Sequence, residues 1–178
     1  KADLIVDAED VVKKAIHLNI NLQGLINNAS IYTDGNLSDS THFKEITEIN
    51  TFVPLRMSQT FAQHLQSGWV INITDAHCRT IQRKFQNYRI SKLWLQELTN
   101  QLALQFAPSI RVNAIAPGAM LPPAQKNQED FSELKHDIPL HKTGDIESLK
   151  KTVIFLIDNH YLTGQTIYVD GGWHLKQS

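Results

Sequence analysis

The sequence is short of cysteine, of closely spaced glycines and of long apolar runs, and each shortage excludes something. One cysteine, Cys78, rules out an intrachain disulfide framework and a cysteine metal cluster, and it suits a reducing compartment. The eight histidines (17, 42, 64, 77, 136, 141, 160 and 174) show no ligand spacing, so no metal site is expected. No apolar stretch reaches the ~18 residues of a membrane helix, and no signal-peptide pattern is visible. A formal net charge of −1 gives nucleic acid or an anionic membrane nothing to hold overall. A cytoplasmic protein is the expectation. None of the eight glycines stands two residues from another, so the Gly-x-Gly turn that cradles phosphates between a strand and a helix has no counterpart here.

What is present reads as strand and helix in alternation. At 178 residues the chain fits a single domain, 1–178, with a proper core. Lys1 to Val6 looks like the end of a strand, and Asp10 to about Asn19 carries apolar residues at helical spacing. Leu22 to Ile26 is a short apolar run closing in Asn27-Asn28-Ala29-Ser30, small polar residues suited to a tight strand-end loop. Residues 40 to 66 repeat apolar side chains every three or four positions, with Pro54 expected to kink the helix just after Asn50 and Gly68 to stop it. Trp69 to Thr74 reads as a buried strand, Asn87 to Phe106 as a helix, and Ile110 to Ala116 as a strand ending in Pro117-Gly118. Residues 119–141 read as a mobile substrate loop with one short helix. Thr143 is expected to cap the next helix, and Gln165 to Val169 is the last strand. Apolar strands without clean alternation, separated by helices, predict a doubly wound parallel sheet in a three-layer α/β/α, Rossmann-like fold.

Ligands in such sheets bind at the carboxyl ends of the strands. Those ends carry Asn28-Ala29-Ser30, Ile73-Thr74-Asp75 and Pro117-Gly118. The helix after Asp75 carries Tyr88 and Lys92, four apart and so on one helical face. An ammonium beside a phenol is expected to lower the phenol's pKa and fit it for proton transfer. The bland alternatives stay open: Tyr88 and Lys92 as exposed helical residues, Asp75 as a strand-end cap or a partner of Arg79 or Arg83, Tyr32 as an ordinary loop aromatic.

In order and spacing, Asn27-Asn28-Ala29, Asn50, Tyr88-x-x-x-Lys92, Arg111-Val112-Asn113 leading to Pro117-Gly118, and Thr163-Gly164-Gln165 with Asp170-Gly171-Gly172 resemble the short-chain dehydrogenases/reductases over nearly the whole chain. The family's catalytic serine, thirteen residues before the tyrosine, is replaced by Asp75. With Ser30 in Asn28-Ala29-Ser30, Tyr32 two residues later and the closing Asp170-Gly171-Gly172-Trp173-His174-Leu175, this resembles the pteridine and dihydromonapterin reductases within that family. The resemblance implies NADPH-dependent reduction of a dihydropterin, with NADH left open because the discriminating residues follow a strand that this chain lacks. It implies catalytic roles for Asn50, Asp75, Tyr88 and Lys92, with Asn50 holding a water that feeds protons to Lys92. It implies cofactor contacts from Asp3, Leu4, Asn28, Ala29, Ser30, Ile73, Thr74, Tyr88, Lys92, Pro117 and Gly118, and substrate contacts from Ser30, Tyr32, Asp75 and Tyr88, Tyr32 stacking on the pterin.

The family's first two strand-helix units have no counterpart, so the 178 residues read as part of a longer enzyme with the edge of the first remaining strand bare. A homotetramer or homodimer through 40–66 and 86–106 is expected. Two other departures stand out. Arg89 follows the tyrosine where the family has a small residue, and Arg79, Arg83 and Lys84 make the loop from Cys78 to Asn87 basic; that loop is either simply solvated or meets an anionic substrate tail. A reductase of another carbonyl or enoyl substrate, and an inactive homologue acting as a binding partner, are the other readings.

Overall fold

A computed structural model describes residues 3–18, 21–122 and 128–176. The elements run α1 (Leu4–His17), β1 (Gly24–Asn27), α2 (Ser40–Thr47), a π-helical segment (Glu48–Phe52), α3 (Val53–His64), β2 (Gly68–Ile73), α4 (Gln86–Phe106), β3 (Ile110–Pro117), α5 (Gln128–Glu133), a 3-10 turn (Leu134–His136), α6 (Ile146–Asp158), β4 (Thr166–Val169) and a closing 3-10 turn (Trp173–Leu175). The four strands form one parallel sheet in the order β1-β2-β3-β4. This is the expected Rossmann-like α/β architecture.

Two cores flank the sheet. On one face Val70 and Val112 pack with Val12 of α1, Phe61 of α3 and Leu102 and Ala103 of α4. On the other, Ile71 and Ile115 pack with Leu156 of α6. The central strands β2 and β3 are thus covered on both sides, which is why their sequences run apolar instead of alternating. Buried asparagines tie neighbouring elements together: Asn27 donates to Asn72 (2.8 Å) and Ser58 (3.1 Å), Asn72 donates to Thr99 (3.0 Å), and Asn113 donates to the Leu162 carbonyl (2.9 Å). Among the described residues β1 pairs only with β2, and Ile26 is 43% exposed beside the open edge.

Local readings are corrected at several points. Leu4, Ile5 and Val6 belong to a helix, not to a strand end. Asp3 is its N-cap, accepting from the Ile5 amide (3.0 Å) while its own amide donates to Asp7 (2.9 Å), a reciprocal cap that outweighs three consecutive apolar residues. Lys1, Ala2 and Asn19 lie outside the described residues. The cap of α6 is Asp145, which accepts from the Ser148 amide at 2.6 Å, not Thr143. The break after Asn50 is a five-residue π segment preceding Pro54, which sits in the first turn of α3 where its missing N–H costs nothing. Gly68 opens β2; α3 has already ended at His64. In the 119–141 stretch, 123–127 lie outside the described residues, while α5 and the 3-10 turn give its second half regular structure.

Candidate active site

The carboxyl ends of β2, β3 and β4 meet the first turns of α4, and the side chains there form one connected group. Asp75 follows β2 directly. Its Oδ1 accepts the His77 amide at 2.6 Å and its Oδ2 accepts the Tyr88 hydroxyl at 3.1 Å. The turn at 75–77 thereby aims the carboxylate at α4. Lys92, one helical turn beyond Tyr88, is 2% exposed; its ammonium donates to the Ile73 carbonyl at 2.8 Å and lies 5.9 Å from the Tyr88 ring centre.

The electrostatics reverse the expected acidification of the phenol. Burial pushes the Tyr88 phenol well above its ordinary range, and the Asp75 carboxylate with its hydrogen bond adds to the shift. Burial also pushes the Lys92 ammonium down to about 8, with Asp75 opposing. The i,i+4 spacing puts cation and phenol side by side, but the carboxylate holds the hydroxyl while the ammonium turns to a backbone carbonyl. Burial first, and then the carboxylate at the oxygen, outweigh the ammonium's proximity to the ring.

The other candidate residues fall as follows. The amide of Asn50 is occupied by protein: Oδ1 accepts from the Ile31 amide (2.8 Å) and Ser30 hydroxyl (3.1 Å), and Nδ2 donates to the Ile31 carbonyl (3.0 Å) and Ser91 hydroxyl (3.0 Å). It clamps the loop after β1 to α4. Tyr32, on that loop, stacks on Phe85 (4.6 Å between ring centres, 6° between planes) and meets Tyr88 edge-on at 4.8 Å. Asn28, Ala29 and Ser30 are exposed at the end of β1. Thr74 is buried and bonded to β3. A Cβ on Gly118 would lie 2.7 Å from the Asp170 Cβ, so the glycine lets β3 and β4 converge. Asp3 spends its carboxylate capping α1, and Leu4 opens that helix.

Sequence reasoning passed over a second layer. The His77 ring meets Trp173 edge-on at 4.0 Å, and His174 stacks on Tyr168 at 4.0 Å while bonding Asp170 at 2.7 Å. Burial lowers the His77 pKa, with Asp75 opposing. Gln96 donates to Tyr168 (3.1 Å) and accepts from Cys78 (3.3 Å), whose thiol burial pushes up to about 11. The Asp170-x-x-x-His174 spacing was the one available signal. Arg89, the other unexpected residue, donates to the His77 carbonyl (3.1 Å) and Gln82 (2.7 Å) and contacts Thr80. It props the loop after Asp75, a task no small residue could do.

A nicotinamide nucleotide fits these residues in part. An ammonium has three donors, and among the described residues the buried Lys92 has one protein acceptor, leaving donors for ribose hydroxyls. The glycine-rich phosphate turn, by contrast, is absent from the 178 residues.

Comparison with known proteins identifies the family and the fold. The family model described as enoyl-(acyl carrier protein) reductase matches residues 6–174. The 3-oxoacyl-(acyl-carrier-protein) reductase FabG of Buchnera aphidicola is 32% identical over 85% of this chain and 66% of its own length; the 7alpha-hydroxysteroid dehydrogenase of Paraclostridium sordellii is 30% identical over 77% and 55%. The crystal structure of FolM alternative dihydrofolate reductase 1 from Brucella suis in complex with NADP superposes with a TM-score of 0.93 at 32% identity, covering 99% of this chain and 74% of that one. Its Brucella canis counterpart, complexed with NADP, gives the same TM-score over 73% of its length. The chain thus spans between about half and three-quarters of the length of these relatives. Its sheet, its Tyr88/Lys92 pair and the match over residues 6–174 place it by descent: the chain belongs to the short-chain dehydrogenase/reductase family, whose cofactor is NAD(P).

Proposed function

We propose that this chain carries the catalytic part of an NADPH-dependent reductase that converts a dihydropterin to a tetrahydropterin. The carrying observation is the hydrogen bond from Tyr88 to Asp75, 3.1 Å long, at the position where the family has a serine. A carboxylate is an acceptor only, suited to the amino edge of a pterin, which a hydroxyl would serve less well. The two Brucella structures, dihydrofolate reductases by their description, favour this substrate and favour NADP over NAD.

The residues divide the work. Lys92 and the strand ends at Asn28–Ser30, Ile73-Thr74 and Pro117-Gly118 would hold NADPH, with Asp3 and Leu4 toward its adenine end, and the cofactor would supply the hydride. Tyr88 stays protonated at neutral pH because burial and Asp75 raise its pKa, so it arrives as a loaded donor. When Asp75 accepts hydrogen bonds from the pterin's amino group, its charge is shared and the restraint on the phenol weakens; as hydride adds to the carbon of the C=N bond, the phenol's proton passes to its nitrogen, leaving the phenolate. Lys92 then faces the phenolate, and Asn50 keeps Ser30 and Tyr32 against the pocket.

The test is NADPH oxidation with a dihydropterin, comparing wild type with Asp75→Ser. Wild type should turn over, and the serine variant should lose at least about tenfold in kcat/KM. The match to the enoyl-reductase model and the FabG likeness favour a second reading, another carbonyl or enoyl substrate. In that case Asp75→Ser keeps or gains activity on such a substrate while wild type ignores pterins.

A further inference from the structure

We infer that Trp173 is a positioning residue for Asp75: it fixes the His77 ring, and through it the turn that aims the carboxylate at Tyr88. This rests on the pterin reading above and adds to it the means by which the carboxylate keeps its place. Two backbone bonds carry β2 past its end, from the Thr74 amide to Ile115 (2.8 Å) and from the Ala76 amide to Pro117 (3.0 Å). The next residue, His77, sets the side chain. Its amide donates to the Asp75 Oδ1 at 2.6 Å, the local bond by which an aspartate ties itself to the backbone two residues on. That leaves Oδ2 turned to the Tyr88 hydroxyl, 3.1 Å away. His77 is held at two further points. Its carbonyl accepts from Arg89 at 3.1 Å, and its ring meets Trp173 edge-on, with ring centres 4.0 Å apart and planes at 72°. A residue pinned by amide and carbonyl alone can still tilt about the line joining them. A ring held at a third place removes that freedom.

Trp173 can serve as an anchor because its own turn is braced on every side. The Asp170 carboxylate, 2% exposed, accepts the Gly172 amide (3.0 Å), the His174 amide (2.6 Å) and the His174 Nδ1 (2.7 Å), while the Trp173 amide donates to the Asp170 carbonyl (3.2 Å). The His174 ring stacks on Tyr168 of β4, whose hydroxyl accepts from Gln96 of α4 at 3.1 Å. From the opposite side the Leu140 amide donates to the Gly171 carbonyl (3.2 Å), and Lys176 pairs with Asp137 (2.7 Å). The turn is thus fastened to β4, to α4 and to residues 137–140, and it delivers one indole edge to the turn after β2, two strands away in the sheet. An aromatic pair of this geometry contributes beyond its buried area. Its larger effect belongs to rate, since a ~1 Å displacement of a reacting group can cost about 10²-fold.

The experiment compares wild type with Trp173→Ala and Trp173→Phe, each made also in the Asp75→Ser background. The first readout needs no substrate: hydrogen exchange of the His77 amide, followed by NMR at one pH. In Trp173→Ala that amide should exchange about tenfold faster, with the Val70 amide of β2 unchanged. Trp173→Phe keeps a ring edge and should stay near wild type. The second readout is dihydropterin reduction at saturating NADPH. Trp173→Ala should lower kcat about tenfold with KM moved by less than about twofold, and Trp173→Phe should recover most of the loss. In the Asp75→Ser background the same Trp173→Ala step should cost nothing more, because residues that act as a unit are not additive. An unchanged His77 amide in Trp173→Ala overturns the inference. Equal acceleration at Val70 does so too, by showing general loosening. A loss confined to KM, or one repeated in full in the Asp75→Ser background, also overturns it, by assigning Trp173 to the substrate directly. Absence of any dihydropterin turnover sinks the proposed function, and the His77 amide then decides the positioning by itself.

Discussion

Lys92, 2% exposed with a pKa lowered to about 8, ties the active site to stability. A buried amine whose folded pKa lies below its unfolded value binds fewer protons than the unfolded chain at pH values between the two. Stability therefore rises with pH through that window. Other groups bound it: burial lowers His77 away from this window, while the Cys78 thiol, raised to about 11, removes stability as pH rises through the ordinary thiol range near 8.5 to 9. From pH 8 to 9 the ligand-free protein should gain about 0.5 kcal/mol in urea unfolding, about 1 kcal/mol from Lys92 less about half of that lost at Cys78. Lys92→Met should turn that gain into a small loss, the Cys78 contribution alone. The same residues show where sequence reading stops. The Tyr88–Lys92 spacing was legible because a helix converts four residues into one turn. The direction of the phenol's shift was not, because it depends first on how deeply the fold buries the oxygen and then on which charge reaches it.

Elements were legible where the apolar period was long, as in α4, and illegible where a cap decided the matter, as at Asp3 and Asp145. Arg111 shows a cap of another kind. It stands in β3, and its guanidinium reaches across to the end of α6, donating to the carbonyls of Leu156 (2.8 Å), Ile157 (2.9 Å), Asn159 (3.1 Å) and Leu162 (3.3 Å). The last carbonyls of a helix lack partners within it and carry its negative pole. One cation from the sheet satisfies them and fixes α6 against β3. In sequence, Arg111 reads only as part of a strand, because its partners come more than forty residues later. Arg111→Met keeps most of the stem but strands these acceptors, and should cost about 2–3 kcal/mol in chemical denaturation. Met also removes charge, so Arg111→Lys, which keeps a cation but loses the fork, should recover part of the loss and no more.

For the molecule as a whole, the parallel sheet followed from strand-helix alternation, while the second site layer at Trp173 and His174 did not, since only folding brings the last turn beside His77. What covers the outer surface of α2 to α4 is likewise a matter beyond one chain. Trp94 is 43% exposed and meets Phe43 edge-on at 5.7 Å; Phe52 and Leu104 are 41% and 80% exposed. Scattered apolar side chains are ordinary on a surface, but an exposed tryptophan paired with a phenylalanine across α2 and α4 is the kind of anchor an interface uses. We propose that this face pairs copies of the chain into the dimer or tetramer that the family resemblance implies. Light scattering should then give a mass two or four times that of the protomer. Trp94→Glu places a charge in the centre of the contact, where desolvation is costliest, and should lower that mass while leaving the monomer's circular dichroism unchanged. A wild-type protein that runs as a monomer at micromolar concentration would refute the pairing, and Trp94 would then be no more than the lid of the Phe43 contact.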